Sequence, residues 1–218
     1  MLPLRLAAAI LALAIAAACN PKTEEVSLMS PQDKPKEEGP KKVDTITLGA
    51  GCFWCVEAVY QELKGVVAVE SGYSNGSVDR PSYEQVCTGT TGHAEVCQIK
   101  YDPAVVDFKG ILKVFFKMHD PTTLNYQGND HGTQYRSGIY FHTPEQKEIA
   151  EKLKKELDAS GAWKDPIVTE ILPVSKYFKA EDYHQNYFRQ HPNQGYCKFV
   201  IGPKMEKFRK VFADQVQR

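Results

Sequence analysis

Apolar residues recur along the chain from Thr45 onward with the periods of strands and helices. Strands are predicted at residues 45–50, 66–69, 94–101, 135–141 and 168–172. Helices are predicted at residues 52–63, 107–119, 144–160, 181–189 and 204–216. In the first of these helices an apolar face recurs at about 3.6-residue spacing, formed by Val56, Val59, Tyr60 and Leu63. The elements therefore follow each other roughly as β-α-β-β-α-β-α-β.

Polar stretches separate these elements at residues 71–92 and 121–134, and residues 192–200 show no regular pattern. Loops longer than about 12 to 15 residues in a compact domain are usually functional, so we expect these segments to converge on one site. The alternation of strands and helices predicts an α+β fold. We expect a two-layer α/β sandwich with a ferredoxin-like core, long loops and an irregular C-terminal tail.

The N-terminal apolar run differs in character from the rest of the chain. It extends from Leu6 to Ala18 and follows Arg5. Its 13 residues are too few for a relaxed membrane-spanning helix, which needs about 20, but they match the apolar core of a secretory signal. Small residues before Cys19 resemble the processing site of bacterial lipoproteins. We therefore predict a signal peptide at residues 1–18 and a lipid on Cys19; an ordinary signal peptide that leaves a free cysteine is the alternative.

The residues between this run and the first strand are predicted to form a linker. Residues 19–44 are rich in lysine and acidic residues and contain Pro21, Pro31, Pro35 and Pro40. Such a segment buries too little apolar surface to offset the entropy cost of ordering it. The prediction is therefore a protein of the bacterial cell envelope, lipid-anchored and facing the periplasm, with one folded domain at residues 45–218.

Composition and charge exclude several classes of protein. The 27 Lys and Arg residues balance 27 Asp and Glu residues, which argues against a nucleic-acid-binding protein. Six cysteines in 218 residues are too few for a disulfide scaffold. The sequence contains no phosphate-binding loop, nucleotide fingerprint or metal-ligand cluster. We therefore expect neither a bound cofactor nor a metal, and we expect a monomer.

The strongest candidate for chemistry is Cys52, in the sequence Gly51-Cys52-Phe53-Trp54-Cys55 between a strand and a helix. A cysteine at the start of a helix lies at the positive end of the helix dipole, which favours the nucleophilic thiolate. The second cysteine, Cys55, follows about one helical turn later. The spacing alone is compatible with several kinds of cysteine site.

Three alternatives compete for this CxxC spacing. A haem-attachment site requires His directly after the second cysteine, where this chain has Val56. A structural zinc site needs a second pair of ligands, and Cys87 and Cys97 match that requirement only weakly. A thioredoxin-like thiol–disulfide oxidoreductase that uses Cys52 and Cys55 stays open as the alternative function.

Further blocks of sequence extend the pattern around the cysteine motif. They are Pro81-Ser82-Tyr83-Glu84, Thr91-Gly92-His93-Ala94-Glu95, the ten residues from Gly128 to Ser137, Glu181-Asp182-Tyr183-His184-Gln185 and Gly195-Tyr196-Cys197. In this order, from about Thr45 to Phe212, they resemble the peptide methionine sulfoxide reductases of the A type. The resemblance implies thiol-dependent reduction of methionine S-sulfoxide, free or in proteins, by a catalytic domain at residues 45–218. In the envelope, such an enzyme would repair oxidised proteins.

The resemblance also implies roles for individual residues. Cys52 would be the nucleophile and become a sulfenic acid, which a second thiol converts to a disulfide. Donors to the sulfoxide oxygen would be Glu95, Tyr83 and Tyr135. Substrate-binding residues would be Phe53 and Trp54, around the methyl group, together with Asp130.

Two cysteines are candidates for the thiol that resolves the sulfenic acid. Cys197 matches the resolving position of the family, in the C-terminal tail. Cys55 stands where glycine is commoner in the family, and it could form a local disulfide with Cys52 or relay one to Cys197. Cys87 and Cys97 are interpreted as small packed apolar residues. The expected reductant is an external dithiol, namely a thioredoxin-like protein or, in vitro, dithiothreitol.

Overall fold

The computed structural model describes residues 42–217. The predicted signal peptide, Cys19 and the linker up to residue 41 lie outside the described residues, so these assignments stay predictions. The fold of the described part is α+β, as the sequence predicts. Among the described residues, no helix is both long and apolar enough to cross a membrane.

The described elements alternate along the chain between strands and helices. The strands are β1 (Asp44–Ala50), β2 (Val66–Ser74), β3 (Ala94–Tyr101), β4 (Tyr126–Gln127), β5 (Asp130–His131), β6 (Ser137–Phe141), β7 (Glu170–Pro173) and β8 (Tyr177–Lys179). The helices are α1 (Phe53–Tyr60), α2 (Tyr83–Cys87), α3 (Phe108–Met118), α4 (Pro144–Ala159), α5 (Tyr187–Gln190) and α6 (Gly202–Val211). Strands β4 and β5 form a small separate ribbon.

The main sheet has the strand order β7-β6-β1-β3-β2-β8. Its central strand β1 pairs antiparallel with both β3 and β6, and β2 pairs antiparallel with β3. The order β6-β1-β3-β2 is compatible with the expected ferredoxin-like core. Because β1 is central, Ile46, Thr47 and Leu48 are all fully buried.

Helices α1 and α3 contribute much of the apolar core beside the sheet. Residues such as Val59 of α1 and Ile111 and Phe115 of α3 are almost completely buried. Helix α3 is capped by Asp107, the first residue of the predicted helix, whose carboxylate accepts a hydrogen bond from the Gly110 backbone N–H. These packed elements hold the end of β1 and the start of α1 in place.

The predicted loop at residues 71–92 is wrong at its start and in its interior. Strand β2 continues through Ser74, and α2 forms within the remaining segment. The sequence suggested a loop because Ser71, Gly72 and Ser74 are small or polar. In the fold, Gly72 lies in β2, which pairs with β3 on one side and β8 on the other. A Cβ at Gly72 would lie 2.6 Å from the carbonyl oxygen of Phe178. The glycine therefore permits a close strand contact.

The C-terminal tail is more ordered than expected. The predicted helix at 181–189 is wrong, because Asn186 adopts a left-handed conformation with φ 55° between a short turn and α5. Strand β8 pairs with β2, and the predicted irregular segment contains a π-helical turn at Cys197–Ile201 that leads into α6. Gln185 ties the tail to β2, since its side-chain amide bonds both the N–H and the carbonyl of Ser71.

The segment before β6 also differs from the prediction. The expected loop at 121–134 contains the β4–β5 ribbon and part of a 3₁₀ turn at Thr133–Tyr135. Tyr135 therefore belongs to this turn, and the strand begins at Ser137 rather than at Tyr135. The turn matters because it directs Tyr135 toward the end of β1.

Candidate active site

Cys52 lies at the N-cap of α1, directly after a tight passage from the end of β1. Gly51 makes that passage with a left-handed φ of 83°, and a side chain at this position would collide with Gln127. Only 8% of Cys52 is exposed. The predicted placement of Cys52 between a strand and a helix is therefore confirmed.

Glu95 lies against the same helix start. Its carboxylate Oε2 accepts a 3.1 Å hydrogen bond from the backbone N–H of Phe53, the first residue of α1. The residue is almost completely buried, and this burial raises the pKa of Glu95 to about 8, against the opposing effect of the Phe53 N–H. The carboxyl group is therefore mainly protonated at neutral pH and can donate a proton.

The two thiols of the CxxC motif influence each other strongly. Burial raises the pKa of Cys52 well above its usual value, and the Cys55 thiol raises it further. The hydrogen bond from Cys52 instead lowers the pKa of Cys55 to about 7. In the free protein the Cys55 thiol therefore ionises more readily than the Cys52 thiol. The sequence favoured a thiolate at Cys52, but burial of that sulfur outweighs the effect of the helix start.

Two tyrosines approach this centre from different parts of the chain. Tyr83 begins α2, and Tyr135 ends the 3₁₀ turn before β6. Burial raises the pKa of both phenols, and the neighbouring Glu95 raises it further. Both hydroxyl groups therefore keep their protons at neutral pH and remain able to donate hydrogen bonds.

Aromatic side chains form an apolar wall beside Cys52. Phe53 is 1% exposed, whereas Trp54 is only partly buried. The indole N–H of Trp54 donates a 3.1 Å hydrogen bond to His184 Nδ1. On its face, the Trp54 ring stacks on Tyr187 with the ring centroids 3.7 Å apart. The orientation of Trp54 is thus fixed by two residues of the C-terminal tail.

A second polar pair, Tyr196 and Asp130, lies beside the Cys55 thiol. The Tyr196 hydroxyl donates a hydrogen bond to Asp130 Oδ2 and lies 4.0 Å from the Cys55 sulfur. Asp130 belongs to the β4–β5 ribbon, whereas Tyr196 directly precedes Cys197. The structure therefore links the predicted substrate-binding residue to the thiols through a tyrosine to which the sequence assigned no role.

Glu181 and Glu57 position the site and were not predicted to do so. Glu181 accepts hydrogen bonds from the Tyr73 hydroxyl, at 2.8 Å, and from the backbone N–H of Tyr83, at 2.9 Å. The buried Glu57 accepts hydrogen bonds from the backbone N–H groups of Asn186, at 2.8 Å, and Tyr187, at 3.2 Å. One clue was available: Glu57 is a charged residue between apolar positions of the first predicted helix, where burial requires partners.

The remaining cysteines differ in their surroundings. Cys197 is fully buried at the start of the π-helical turn. Cys97 is also fully buried, as expected, and its sulfur donates to the backbone carbonyl of Phe53. Cys87 is exposed on α2, so its interpretation as a packed apolar residue is wrong. The five cysteines of the described part all carry free thiols.

The described residues contain no group of three or more His, Cys, Asp and Glu side chains arranged to hold a metal ion. His184 is buried against Phe53, with ring centroids 5.0 Å apart, while His131 is exposed. The groups that converge on the end of β1 are instead thiols, a protonated carboxyl group, phenols and apolar rings. This set suits nucleophilic attack by sulfur on a small polar centre that carries an apolar substituent.

Comparisons with known proteins agree with this chemistry. The sequence model of the peptide methionine sulfoxide reductase family matches residues 44–216. The peptide methionine sulfoxide reductase MsrA of Polynucleobacter asymbioticus is 58% identical over 170 residues, which cover 78% of this chain and 90% of that protein. The protein of the same name from Saccharolobus solfataricus is 51% identical over 175 residues, covering 80% of this chain and 98% of its own length.

Solved structures give the same result. The reduced form of Mxr1 from Saccharomyces cerevisiae has a TM-score of 0.68 and 38% sequence identity, over 73% of this chain and 91% of that one. Methionine sulfoxide reductase A of Corynebacterium diphtheriae has a TM-score of 0.64 and 38% identity, over 72% and 78% of the two chains. Both similarities fall on the fold that carries the Cys52 centre.

Proposed function

The chain belongs to the peptide methionine sulfoxide reductase family and reduces methionine S-sulfoxide to methionine with electrons from thiols, and we propose that Cys52 is the nucleophile of this reaction. Family membership sets aside the thiol–disulfide oxidoreductase that the CxxC spacing alone left open. The observation that carries the proposal is the position of Cys52 at the start of α1, where the mainly protonated carboxyl group of Glu95 bonds the next N–H and Phe53 and Trp54 follow in the chain.

The first step requires a thiolate at Cys52. In the free enzyme the Cys55 thiol ionises before the Cys52 thiol, which keeps its proton. Transfer of that proton to Cys55 gives the Cys52 thiolate directly, without an additional base. The thiolate then attacks the sulfoxide sulfur, whose methyl group packs against Phe53 and Trp54.

The attack increases negative charge on the sulfoxide oxygen, which must be stabilised. Glu95 supplies a proton, and the hydroxyl groups of Tyr83 and Tyr135 supply hydrogen bonds. Asp130, held by Tyr196, orients the substrate arm. The sulfoxide oxygen is transferred to the Cys52 sulfur, methionine leaves, and Cys52 is left as a sulfenic acid.

The next step is formation of a disulfide from the sulfenic acid. We propose that Cys55 condenses with it first, releasing water, because Cys55 lies in the first turn of α1, directly after Cys52 at the N-cap. Cys197 then exchanges into that disulfide, which requires the segment around Gly195 to move, since Cys197 is fully buried in the reduced fold. A thioredoxin-like dithiol, or dithiothreitol in vitro, finally reduces the enzyme.

The order of disulfides can be tested in a single turnover. Reduced enzyme is mixed with one equivalent of N-acetyl-methionine-S-sulfoxide, quenched with N-ethylmaleimide at increasing times, and its cysteine peptides are mapped by mass spectrometry. We expect the Cys52–Cys55 bond at early times and a Cys197 disulfide later. In Cys55→Ser, one equivalent of N-acetyl-methionine should still form, more slowly because Cys55 no longer takes up the Cys52 proton, while a sulfenic acid accumulates that dimedone traps. A Cys52–Cys197 bond at the earliest time in the unmodified enzyme contradicts the order.

We also propose that the enzyme is a lipoprotein of the bacterial cell envelope that repairs oxidised proteins there. The proposal rests on the apolar run before Cys19 and on the charged, proline-containing residues that follow it. An alkyne-labelled palmitate fed to expressing bacteria should label the chain, and Cys19→Ser should lose the label. Labelling that persists in Cys19→Ser contradicts lipidation at this residue.

A further inference from the structure

A small cavity lies beside Cys55, between helices α1, α3 and α6. Its volume is about 20 Å³, which is room for about one water molecule. The lining is mainly apolar, and besides the Cys55 thiol it includes the side chains of His119 and Lys204. Neither of these two residues has a role in the reaction as described so far.

We propose that Lys204 is a positioning residue of the reductase, whose ammonium group stabilises negative charge on the Cys55 sulfur across this cavity. The assignment rests on the proposed roles of Cys52 and Cys55, and it adds to them a residue from the C-terminal helix α6.

The position of Lys204 leaves its charge available to Cys55. Lys204 lies in the first turn of α6, which packs against α1, and its side chain is partly buried. None of the ion pairs in the described part of the chain includes Lys204, whereas Arg209 of the same helix pairs with Glu62. A lysine can pack its apolar stem inside a protein and keep its ammonium charge. That charge is therefore not neutralised by a described carboxylate at ion-pair distance.

Several neighbours act on the ionisation of Cys55. The interaction with the Cys52 thiol lowers the pKa of Cys55 most, and burial opposes this effect. The Lys204 charge comes next and lowers the pKa again, so that together they bring it to about 7. Because the walls of the cavity are mainly apolar, a charge acts across it more strongly than it would through water.

Most other titratable groups around Cys55 are neutral near pH 7. Burial raises the pKa of Cys52, Tyr60, Glu95, Cys97, Tyr196 and Cys197, so these groups mainly keep their protons. Asp130 raises the pKa of Cys55, but by less than Lys204 lowers it. In this set of described groups, Lys204 supplies the positive charge.

His119 lines the same cavity but cannot replace Lys204. Burial lowers the pKa of His119 to about 4, so its ring is neutral at physiological pH. Both ring nitrogens already have partners, namely the Phe115 carbonyl oxygen at 2.6 Å and the Ser137 hydroxyl at 2.8 Å. The ring therefore offers neither a charge nor a free proton to Cys55.

The Cys55 thiolate is used twice in the proposed reaction. It first takes the proton of Cys52, and after the sulfoxide has been reduced it attacks the sulfur of the Cys52 sulfenic acid. In that attack the S–S bond forms, the S–O bond breaks, and the leaving hydroxide takes up the proton that the Cys55 thiol has released, giving water. Lys204 keeps its own proton throughout, and its charge increases the fraction of Cys55 that is ionised.

The ionisation of Cys55 can be measured without any sulfoxide. Reduced enzyme is titrated while the ultraviolet absorbance of the thiolate is followed, and Cys55→Ser identifies which part of the signal belongs to Cys55. In Lys204→Gln the midpoint should rise by about one pH unit, the low end of the effect of a neighbouring opposite charge. Lys204→Met, which keeps an unbranched stem in the cavity, should give the same shift. Lys204→Arg should restore the original midpoint, because it retains the charge.

The same variants should change the pH dependence of the reaction. For Lys204→Gln, the lower limb of the kcat/KM profile with N-acetyl-methionine-S-sulfoxide should move by the same amount, which makes the rate at about pH 6 roughly tenfold lower. Lys210→Gln is the matched control, because Lys210 is an exposed residue of the same helix and does not line the cavity. It should leave both the midpoint and the limb unchanged.

Two results would overturn the role of Lys204. One is a midpoint that stays the same in both Lys204→Gln and Lys204→Met, even if kcat/KM falls equally at every pH, since that pattern indicates packing alone. The other is an equal shift in Lys210→Gln, which indicates an effect of overall charge. Failure of the proposed nucleophile looks different: Cys52→Ser would keep its activity, while the titration would still report on Lys204.

Discussion

Cys52→Ser is expected to lower the rate of methionine sulfoxide reduction by about 10⁴-fold or more, as loss of a covalent nucleophile does in other enzymes. A serine hydroxyl at this buried position stays protonated. Its oxygen atom also cannot accept the sulfoxide oxygen, as the Cys52 sulfur does when it becomes a sulfenic acid. The measurement is formation of N-acetyl-methionine from N-acetyl-methionine-S-sulfoxide, followed by chromatography, with dithiothreitol as the reductant.

Cys197→Ser serves as the matched control for removal of a buried thiol. This variant should still release one equivalent of methionine in the first turnover, because Cys197 acts only after the sulfoxide has been reduced. The comparison separates loss of the nucleophile from loss of a resolving thiol. It also tests folding, since both substitutions replace a buried cysteine by serine.

The alternative nucleophile is Cys55, and Cys52→Ser tests it directly. In the free enzyme Cys55 ionises more readily than Cys52, because the interaction with the Cys52 thiol lowers the pKa of Cys55 to about 7. If Cys55 attacked the sulfoxide, Cys52→Ser would keep substantial activity and dimedone would label Cys55. That outcome would reverse the roles of the two cysteines.

The strand and the helix that flank Cys52 could be predicted from the sequence, because each depends on the pattern of apolar residues within its own segment. The strand before Gly51 and the helix after Cys52 follow from alternation and from a 3.6-residue apolar face. The predicted strand at residues 94–101 likewise places Glu95 near its start. The structure confirms both, with Cys52 at the N-cap of α1 and Glu95 against the next N–H.

Contacts between distant parts of the chain account for what the sequence did not predict. Strand β8 has only three residues and forms against β2, about 100 residues earlier, so its own pattern is too short to indicate a strand. The pKa of Cys52 likewise depends on burial by the assembled fold. The hydrogen bond from Trp54 to His184 joins residues 130 positions apart. Each of these features requires the packed tail.

Glu95→Gln is the second substitution with a large expected effect. Glutamine has nearly the shape of a protonated glutamic acid, and its carbonyl can still accept from the Phe53 N–H. It cannot transfer a proton to the sulfoxide oxygen. We expect kcat/KM to fall by about 10² to 10³-fold, within the range for loss of a general acid. Steady-state kinetics with N-acetyl-methionine-S-sulfoxide measure this directly.

The pH dependence identifies the cause of that loss. Glu95 must be protonated to act, and since burial raises the pKa of Glu95 to about 8, activity should fall by about tenfold per pH unit above that value. The thiol pair must carry a negative charge, and the pKa of Cys55 of about 7 places the opposite limb below neutrality. The unmodified enzyme should therefore show a bell-shaped kcat/KM profile with its maximum between these values. Glu95→Gln should lose the upper limb and keep the lower one.

The free energy of unfolding supplies the control, because Glu95→Gln should keep or raise it at pH 8 while activity falls. Between the usual carboxyl pKa near 4.5 and the folded pKa of about 8, folded Glu95 holds a proton that the unfolded chain has released. The free energy of unfolding of the unmodified enzyme therefore decreases as pH rises through this window, and above it the cost of a buried carboxylate is fully present. Glu95→Gln has no such group, so urea unfolding at pH 8 should find it at least as stable as the unmodified enzyme. If Glu95→Gln is inactive and also markedly less stable at pH 8, Glu95 acts mainly in holding the start of α1. If the variant is stable and has low activity, and its pH profile lacks the upper limb, the proton transfer belongs to Glu95.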